Sequence, residues 1–372
     1  MKPITTGKLT WPRLFKRLPW LLLLPLGLLL PRVAAANPMA AEWYARLIYP
    51  AISGALCAVS GLFPFSLAEV GVYACLLLAL GFVLAYVFRW LTKRIPLLKL
   101  VSLLLTLAIA AGALLNVFYL VWGFNYARPT LYELMDLPVR ERPMEELRQL
   151  CEELATEAAA LRAQVAEDAA GAYTLPEGWR VHFQKLPAAF ERLGLEEPLF
   201  ARRARPAKGV LASEAMSWAG IAGIYIPFTA EANVNVHQHP LLLLSSAAHE
   251  TAHYLGVAKE DEANFVAYLA CRASEDPAIA YSGAMLALIH CTNKLHEADP
   301  AALLTVQERY SEGMVRDLLS YNAYWDRYEG ALEAAVTSVN DTYLKLNQQQ
   351  SGVKSYGLMV DLLLAWRATQ AA

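Results

Sequence analysis

Two apolar stretches near the start of this chain, Val70 to Phe88 and Leu100 to Val121, carry no charged residue and are each long enough to cross a bilayer as a helix. In hydrocarbon every backbone N–H and C=O needs a partner within the segment, so a helix is what such runs can adopt. A shorter run, Leu18 to Leu30, follows Lys2, Lys8, Arg13, Lys16 and Arg17. It leads into Pro31-Arg32-Val33-Ala34-Ala35-Ala36, which also resembles a signal-peptide cleavage region. The composition agrees, since 56% hydrophobic and 18% charged residues over a chain of 372 is too apolar for an ordinary soluble enzyme.

The flanks predict the orientation. Basic residues crowd ahead of the first run, and Arg89, Lys93, Arg94 and Lys99 crowd the short loop between the second and third, whereas Asn37 to Glu69 is poor in them. The positive-inside rule then puts the N-terminus and the 89–99 loop in the cytoplasm, and everything after about Trp122 outside, whether or not the first segment is cleaved. The expected organisation is a membrane region over 1–122, with spans at about 18–36, 70–88 and 100–121, and an outer domain over 123–372. Residues 43–68, rich in aromatics and prolines, read as an interfacial or partly re-entrant piece, or as a packed connector. Trp122-Gly123-Phe124-Asn125-Tyr126 reads as the anchor where the third span meets water.

In the outer domain, Met144 to Asp168 predicts a long amphipathic helix with a solvated charged face. Pro176 to Leu195 predicts a short strand at Arg180-Val181-His182-Phe183 and then a helix, with His182 structural. Gly223 to Thr229 and Asn233 to Val236 are β-branched and punctuated by Gly and Pro, and Pro227 fits an edge strand. Such an edge can hold an extended peptide by adding it to the sheet.

The chemistry lies just beyond, in His249-Glu250-Thr251-Ala252-His253, the chain's one H-E-x-x-H segment. Imidazoles four apart on a helix face the same way and can grip one metal ion, with the glutamate beside the open coordination position as a base for water. Pro240 suits a first helical turn and Gly256 a stop, so Leu241 to Leu255 predicts a mostly buried helix. Burying this many ionisable groups without a metal is expensive. Tetrahedral zinc needs a third protein ligand, and Glu260 and Glu262 are the candidates, at the start of a second helix over 260–269. Glu260 is preferred because Asn264, four residues on, can then hydrogen-bond a ligand histidine from behind, in a pattern similar to that of glutamate zincins. Glu262 would be a solvated acid favoured by the helix dipole. The six residues between His253 and Glu260 are far fewer than in thermolysin-like enzymes, and Lys259 stands where metzincins have a histidine. Loop residues His237 and His239 are not assigned as ligands. Tyr321, Tyr324, Tyr343 and Tyr356 are conceivable oxyanion donors.

Five cysteines without a C-x-x-C pair indicate no thiolate zinc site, though Cys271 and Cys291 could pair in an oxidising compartment. A net charge of −2 without a basic stripe argues against nucleic acid as a partner.

Taken together, these residues resemble a bacterial membrane-protein family, the domain of unknown function 3810. The likeness is carried by Ile48-Tyr49-Pro50, Phe63-Pro64-Phe65-Ser66, Trp122 to Tyr126, Pro227-Phe228-Thr229, the histidine segment, Glu260 to Phe265, Val339 to Lys345 and Ser355-Tyr356-Gly357. The resemblance implies a zinc metallopeptidase of glutamate-zincin type with N-terminal membrane helices. The expectation is therefore a mainly α membrane protein of the bacterial cell membrane, whose helices precede a zincin-like α+β domain with a small edge-strand element. It would hold Zn²⁺ through His249, His253 and Glu260 (alternatively Glu262), use Glu250 as base and proton donor, and cut peptide or protein substrates outside the cytoplasm or at the membrane surface. The rival expectations are a non-catalytic envelope protein with a structural zinc site, and a hydrolase of a non-peptide amide.

Overall fold

The computed structural model describes residues 10–92, 96–346 and 357–370, with the side chains of 343, 344 and 346 left out. The protein is mainly helical and, among the described residues, has three helices long and apolar enough to cross a membrane: Trp11–Ala35, Leu67–Thr92 and Leu97–Val121. The first and third lie side by side in parallel. Arg17 donates to Ser102 and Thr106 near their starts, and Asn116 donates to the Leu23 carbonyl further along. They touch closely at Gly112, where a Cβ would lie 2.6 Å from the Leu24 nitrogen. The Leu67–Thr92 span stands apart, with none of its most apolar window buried.

Residues 37–66 form a packed connector. Helix Pro38–Trp43, a π-turn at Tyr44–Ile48 and helix Tyr49–Ser60 lie against the rest of the chain. Tyr49 is fully buried, and Arg202 donates to both the Ser53 hydroxyl and the Tyr254 carbonyl. Glu42 takes Arg46 and Arg128 as partners.

Beyond the spans, three helices make the centre: Pro240–Tyr254 (the histidine helix), Glu260–Arg272 and Pro277–Ala298. His239 caps the first, its Nδ1 accepting the Leu241 N–H at 3.2 Å, and Gly256 ends it at φ +99°, a conformation that favours glycine. The second begins with Glu260, Asp261 and Glu262 at the positive end of its dipole. It crosses the third so closely that a Cβ on Gly283 would sit 2.2 Å from that of Cys271. Around them pack Met144–Arg162, Trp179–Glu196 and Leu358–Gln370. Leu154, Leu186, Phe190, Leu244, Phe265 and Met285 are sealed from water, each contributing about 1.5–3 kcal/mol.

Two expected elements differ. Arg180 to Phe183 is helix, because Phe183, Leu186, Phe190 and Leu193 fall on one helical face that fills the core, and this outweighs the local alternation. His182 on that helix meets Asp276 at 2.9 Å, in the structural role expected of it. The amphipathic helix stops at Arg162 rather than Asp168, since the backbone of residues 166–168 pairs instead with that of 172–174. Cys271 and Cys291 are free thiols: Cys271 faces Gly283, while Cys291 hydrogen-bonds Cys151.

The sheet is small and has the order β1-β3-β2, with β1 Lys208–Gly209, β2 Gly223–Ile226 and β3 Glu231–Val234. β3 pairs in parallel with β1 and antiparallel with β2, so β2 is an edge, with Pro227 just past its end. The sheet is tied to the second span. Glu231 on β3 accepts the Leu67 and Ala68 N–H groups at that span's start, and Glu69 on the span accepts those of Leu211 and Ala212.

Candidate metal centre

One helical turn separates His249 from His253, and their rings meet edge to face with centroids 4.6 Å apart. The return of the chain through Gly256 brings the start of the next helix back over them. Glu260 thereby puts Oε2 3.1 Å from His249 Nε2 and Oε1 3.7 Å from His253 Nε2. One ligand atom from each of the three residues lies within 4.8 Å of the others. Tetrahedral zinc with bonds of about 2.0–2.2 Å holds its ligand atoms about 3.3–3.6 Å apart, so two nitrogens and a carboxylate oxygen fit this ion in number and type, and the three would close in slightly around it.

Both imidazoles are oriented from behind. His249 Nδ1–H donates to Asn264 Oδ1 at 2.8 Å, and His253 Nδ1–H donates to the Val257 carbonyl at 2.7 Å. Each ring therefore turns Nε2 to the shared point, the arrangement that metal-binding histidines use. Glu262 turns the other way. It is buried, not solvated, with Oε1 accepting the Leu131 N–H at 2.9 Å beside Lys259, so the structure brings Glu260 and not Glu262 to the histidines.

The charges are strongly coupled. Burial alone would raise the Glu260 carboxyl, but the two imidazoles hold it well below the usual carboxylate range. Burial works against a proton on His253, yet the charge and hydrogen bond of Glu260, with Glu250 nearby, lift it to about 9. The centre thus attracts positive charge, which a divalent cation can supply in place of a proton.

Glu250 lies on the adjoining face of the histidine helix, 5% exposed. Burial raises its carboxyl to about 7 against the pull of both histidines. Its Oε2 is buried without a hydrogen-bond partner among the described residues. The carboxylate reaches β2, where a Cβ on Gly223 would lie 2.5 Å from Oε1, so only glycine lets the strand come this close. The pairing explains the other contact. Asn235 N–H bonds the Ala222 carbonyl, and alternation along an antiparallel ladder then turns the backbone groups of Gly223 and Tyr225 away from β3. The Tyr225 N–H is thus free to bond Glu250.

The tyrosines conceived as oxyanion donors are engaged elsewhere or lie outside the described residues. Tyr324 bonds Ser217 and His237, and Tyr321 packs against His239 and Trp325. Tyr356 and the side chain of Tyr343 are outside the described residues.

The sequence did not point to Trp122. It is the first residue past the third span, 3% exposed, with its ring edge-on to His253 at 6.2 Å and 4.8 Å from that of Tyr225. Tyr49 joins them, its hydroxyl 2.9 Å from that of Tyr225 and donating to the Tyr254 carbonyl at 2.9 Å. An aromatic residue at the end of a span reads as a lipid anchor, and no local pattern distinguishes one that turns inward. Gly223 and the Val257 carbonyl were equally hidden, although a carbonyl four residues after a helix-ending histidine is a signal that could be sought.

A family model described as Protein of unknown function (DUF3810) matches residues 44–364. No curated protein and no solved structure matches the chain.

Proposed function

The chain belongs to the DUF3810 family, and from its centre we propose that it is a zinc-dependent peptidase anchored in the bacterial cell membrane. The observation that carries this reading is the convergence of His249 Nε2, His253 Nε2 and Glu260 beside the unpartnered Oε2 of Glu250. His249, His253 and Glu260 would hold the ion, which supplies a water of near-neutral pKa and polarises the scissile carbonyl. Glu250 takes the proton at Oε2 as the water oxygen bonds to the carbonyl carbon. It returns that proton to the nitrogen as the C–N bond breaks. Asn264 and the Val257 carbonyl keep the histidines in one orientation throughout.

A histidine helix flanked by an edge strand supports a zincin-like arrangement, with β2 as the strand that holds an extended peptide. The basic ends of the spans, with Arg13, Lys16 and Arg17 at the start of the first, Arg89 near the end of the second and Lys99 near the start of the third, lie opposite the ends that meet the centre. The positive-inside rule then favours three spans with the centre outside the cytoplasm. The partial exposure of the ligand side chains, 14% for His249 and 20% for Glu260, favours an open fourth position over a closed structural site.

The test compares wild type with Glu250→Gln for bound zinc and for cleavage of a diverse peptide library. Equal zinc with cleavage lost supports the proposal. Absence of zinc from both proteins sinks it, and zinc in both with no cleavage of any peptide moves the centre to a structural or non-peptide role.

A further inference from the structure

A peptidase site can stand well clear of its membrane anchor. This one does not. Trp122 begins where the third span ends and already touches His253, and the start of the second span is capped by Glu231, a residue of the strand paired with β2. The metal residues and the edge strand therefore sit at the ends of the membrane helices, at the level of the bilayer surface.

The surface around them is apolar. Ile224 on β2 is 45% exposed, and Phe228 just after it, Leu211 beside the start of the second span, and Leu62 and Phe65 on the connector are exposed as well. An exposed apolar rim bordering a polar site marks contact with lipid or with an apolar partner. The spans leave a way in from the side. The first and third pack against each other, but the second meets the molecule at its site end and is bare along its length, with open space beside Gly71 and Gly81. Small residues let another helix approach a span closely.

We infer that the substrates are membrane-anchored polypeptides, cut in the extended segment next to their own transmembrane helix. That helix lies in the bilayer beside Leu67–Thr92, and the segment emerging from it adds to the open edge of β2, where the outward backbone groups of Gly223 and the Tyr225 carbonyl receive it. Continuity decides the occupant: the bare span starts against Glu231 of β3 and against Leu211 and Ala212 beyond β1, in the same small sheet and one strand away from the edge that faces Glu250. The inference rests on the peptidase reading above, and its test separates the two.

The full chain is reconstituted with zinc in vesicles of phosphatidylethanolamine and phosphatidylglycerol. One randomised peptide library is then supplied in three forms: free in solution, fused directly to a single transmembrane helix in the same vesicles, and fused through a long hydrophilic spacer. Tethering raises the local concentration of the peptide, so the directly fused library is cut about 10²-fold faster than the free one. With the spacer, the cuts shift into the spacer and keep their distance from the bilayer. Equal rates for free and fused libraries, or cuts that follow the randomised segment outward, overturn the substrate class and leave the peptidase standing. No cleavage in any form, with zinc bound, overturns the peptidase reading and this inference with it.

Discussion

Two of the protein's buried carboxylates, Asp317 and Glu250, are treated in opposite ways. Asp317, on helix Glu312–Trp325, is sealed from water and takes four donors: Arg162 Nε and Nη2, the Tyr173 N–H and the Tyr281 hydroxyl. Glu250 is nearly as buried, yet one of its oxygens has no partner among the described residues and its carboxyl is raised to about 7. A buried charge costs several kcal/mol unless neighbours replace its water, so a fully partnered carboxylate is the arrangement that holds a fold together. One left partly unpartnered between His249, His253 and Glu260 on one side and a sheet edge on the other adds no such stability, and it is the arrangement expected of a group kept for chemistry. The first cluster ties helices together, and the second keeps one carboxylate oxygen open, as the proposed chemistry requires.

This contrast can be broken in several ways. Glu250→Gln should keep the fold and the zinc while lowering cleavage about 10²–10⁴-fold; unchanged cleavage would remove Glu250 from the chemistry. Asp317→Ala should do the reverse, costing about 3–5 kcal/mol in the unfolding of the detergent-solubilised chain by leaving the buried Arg162 with only the half-exposed Glu167 and the Gly171 carbonyl, and the Tyr173 and Tyr281 donors without their acceptor. The folded fraction should still cut peptides at the wild-type rate, and a specific loss of cleavage would show that the clusters do not divide the work in this way.

Smaller effects sharpen the picture. Asn264→Ala frees the His249 ring and should weaken zinc about 10–100-fold in a competition titration with a chelator. Gly223→Ala pushes a methyl into the Glu250 carboxylate, a strain of about 1–3 kcal/mol that should slow cleavage without releasing zinc. Zinc loss of the same size in that variant would mean that β2 supports the ligands and not the base.

The smallest effect lies at the start of the histidine helix. Burial lowers His239 to about 4, against the opposing pull of Asp317 and Asp168. The neutral ring accepts the Leu241 N–H at Nδ1 and donates from Nε2 to Ser320, and a proton on Nδ1 abolishes the cap. A lowered folded-state pKa means stability present above about 6.5 and lost as pH falls toward 4, of order 1–2 kcal/mol. His239→Asn keeps a capping oxygen and does not titrate, so its unfolding temperature should change less over that interval. Parallel curves for the two proteins would exclude this cap as the acid-sensitive group.

The sequence by itself determined the elements whose signals are local. Apolar runs of bilayer length are helices because hydrocarbon leaves the backbone no other partner; the second and third helices extend the expected spans by three residues at their starts and by up to four at their ends, while the first starts seven residues earlier than expected and ends one earlier. H-E-x-x-H and the acid seven residues on carry their own geometry, since a helical turn fixes the two imidazoles and Gly256 fixes the reversal that returns Glu260. The tertiary structure decided whatever depended on contacts distant in sequence. It settled that Glu260 faces the histidines while Glu262 faces Leu131, because a helix start offers both acids and only packing against residues 131–134 consumes one. It made Arg180 to Phe183 helix, because core burial on one face outweighs a brief alternation. It also brought Trp122 and Glu231 together with the histidine helix and the edge strand, so that the site lies where the spans end. Nothing within reach along the chain encodes that meeting, which forms only when the whole domain closes on the ends of its membrane helices.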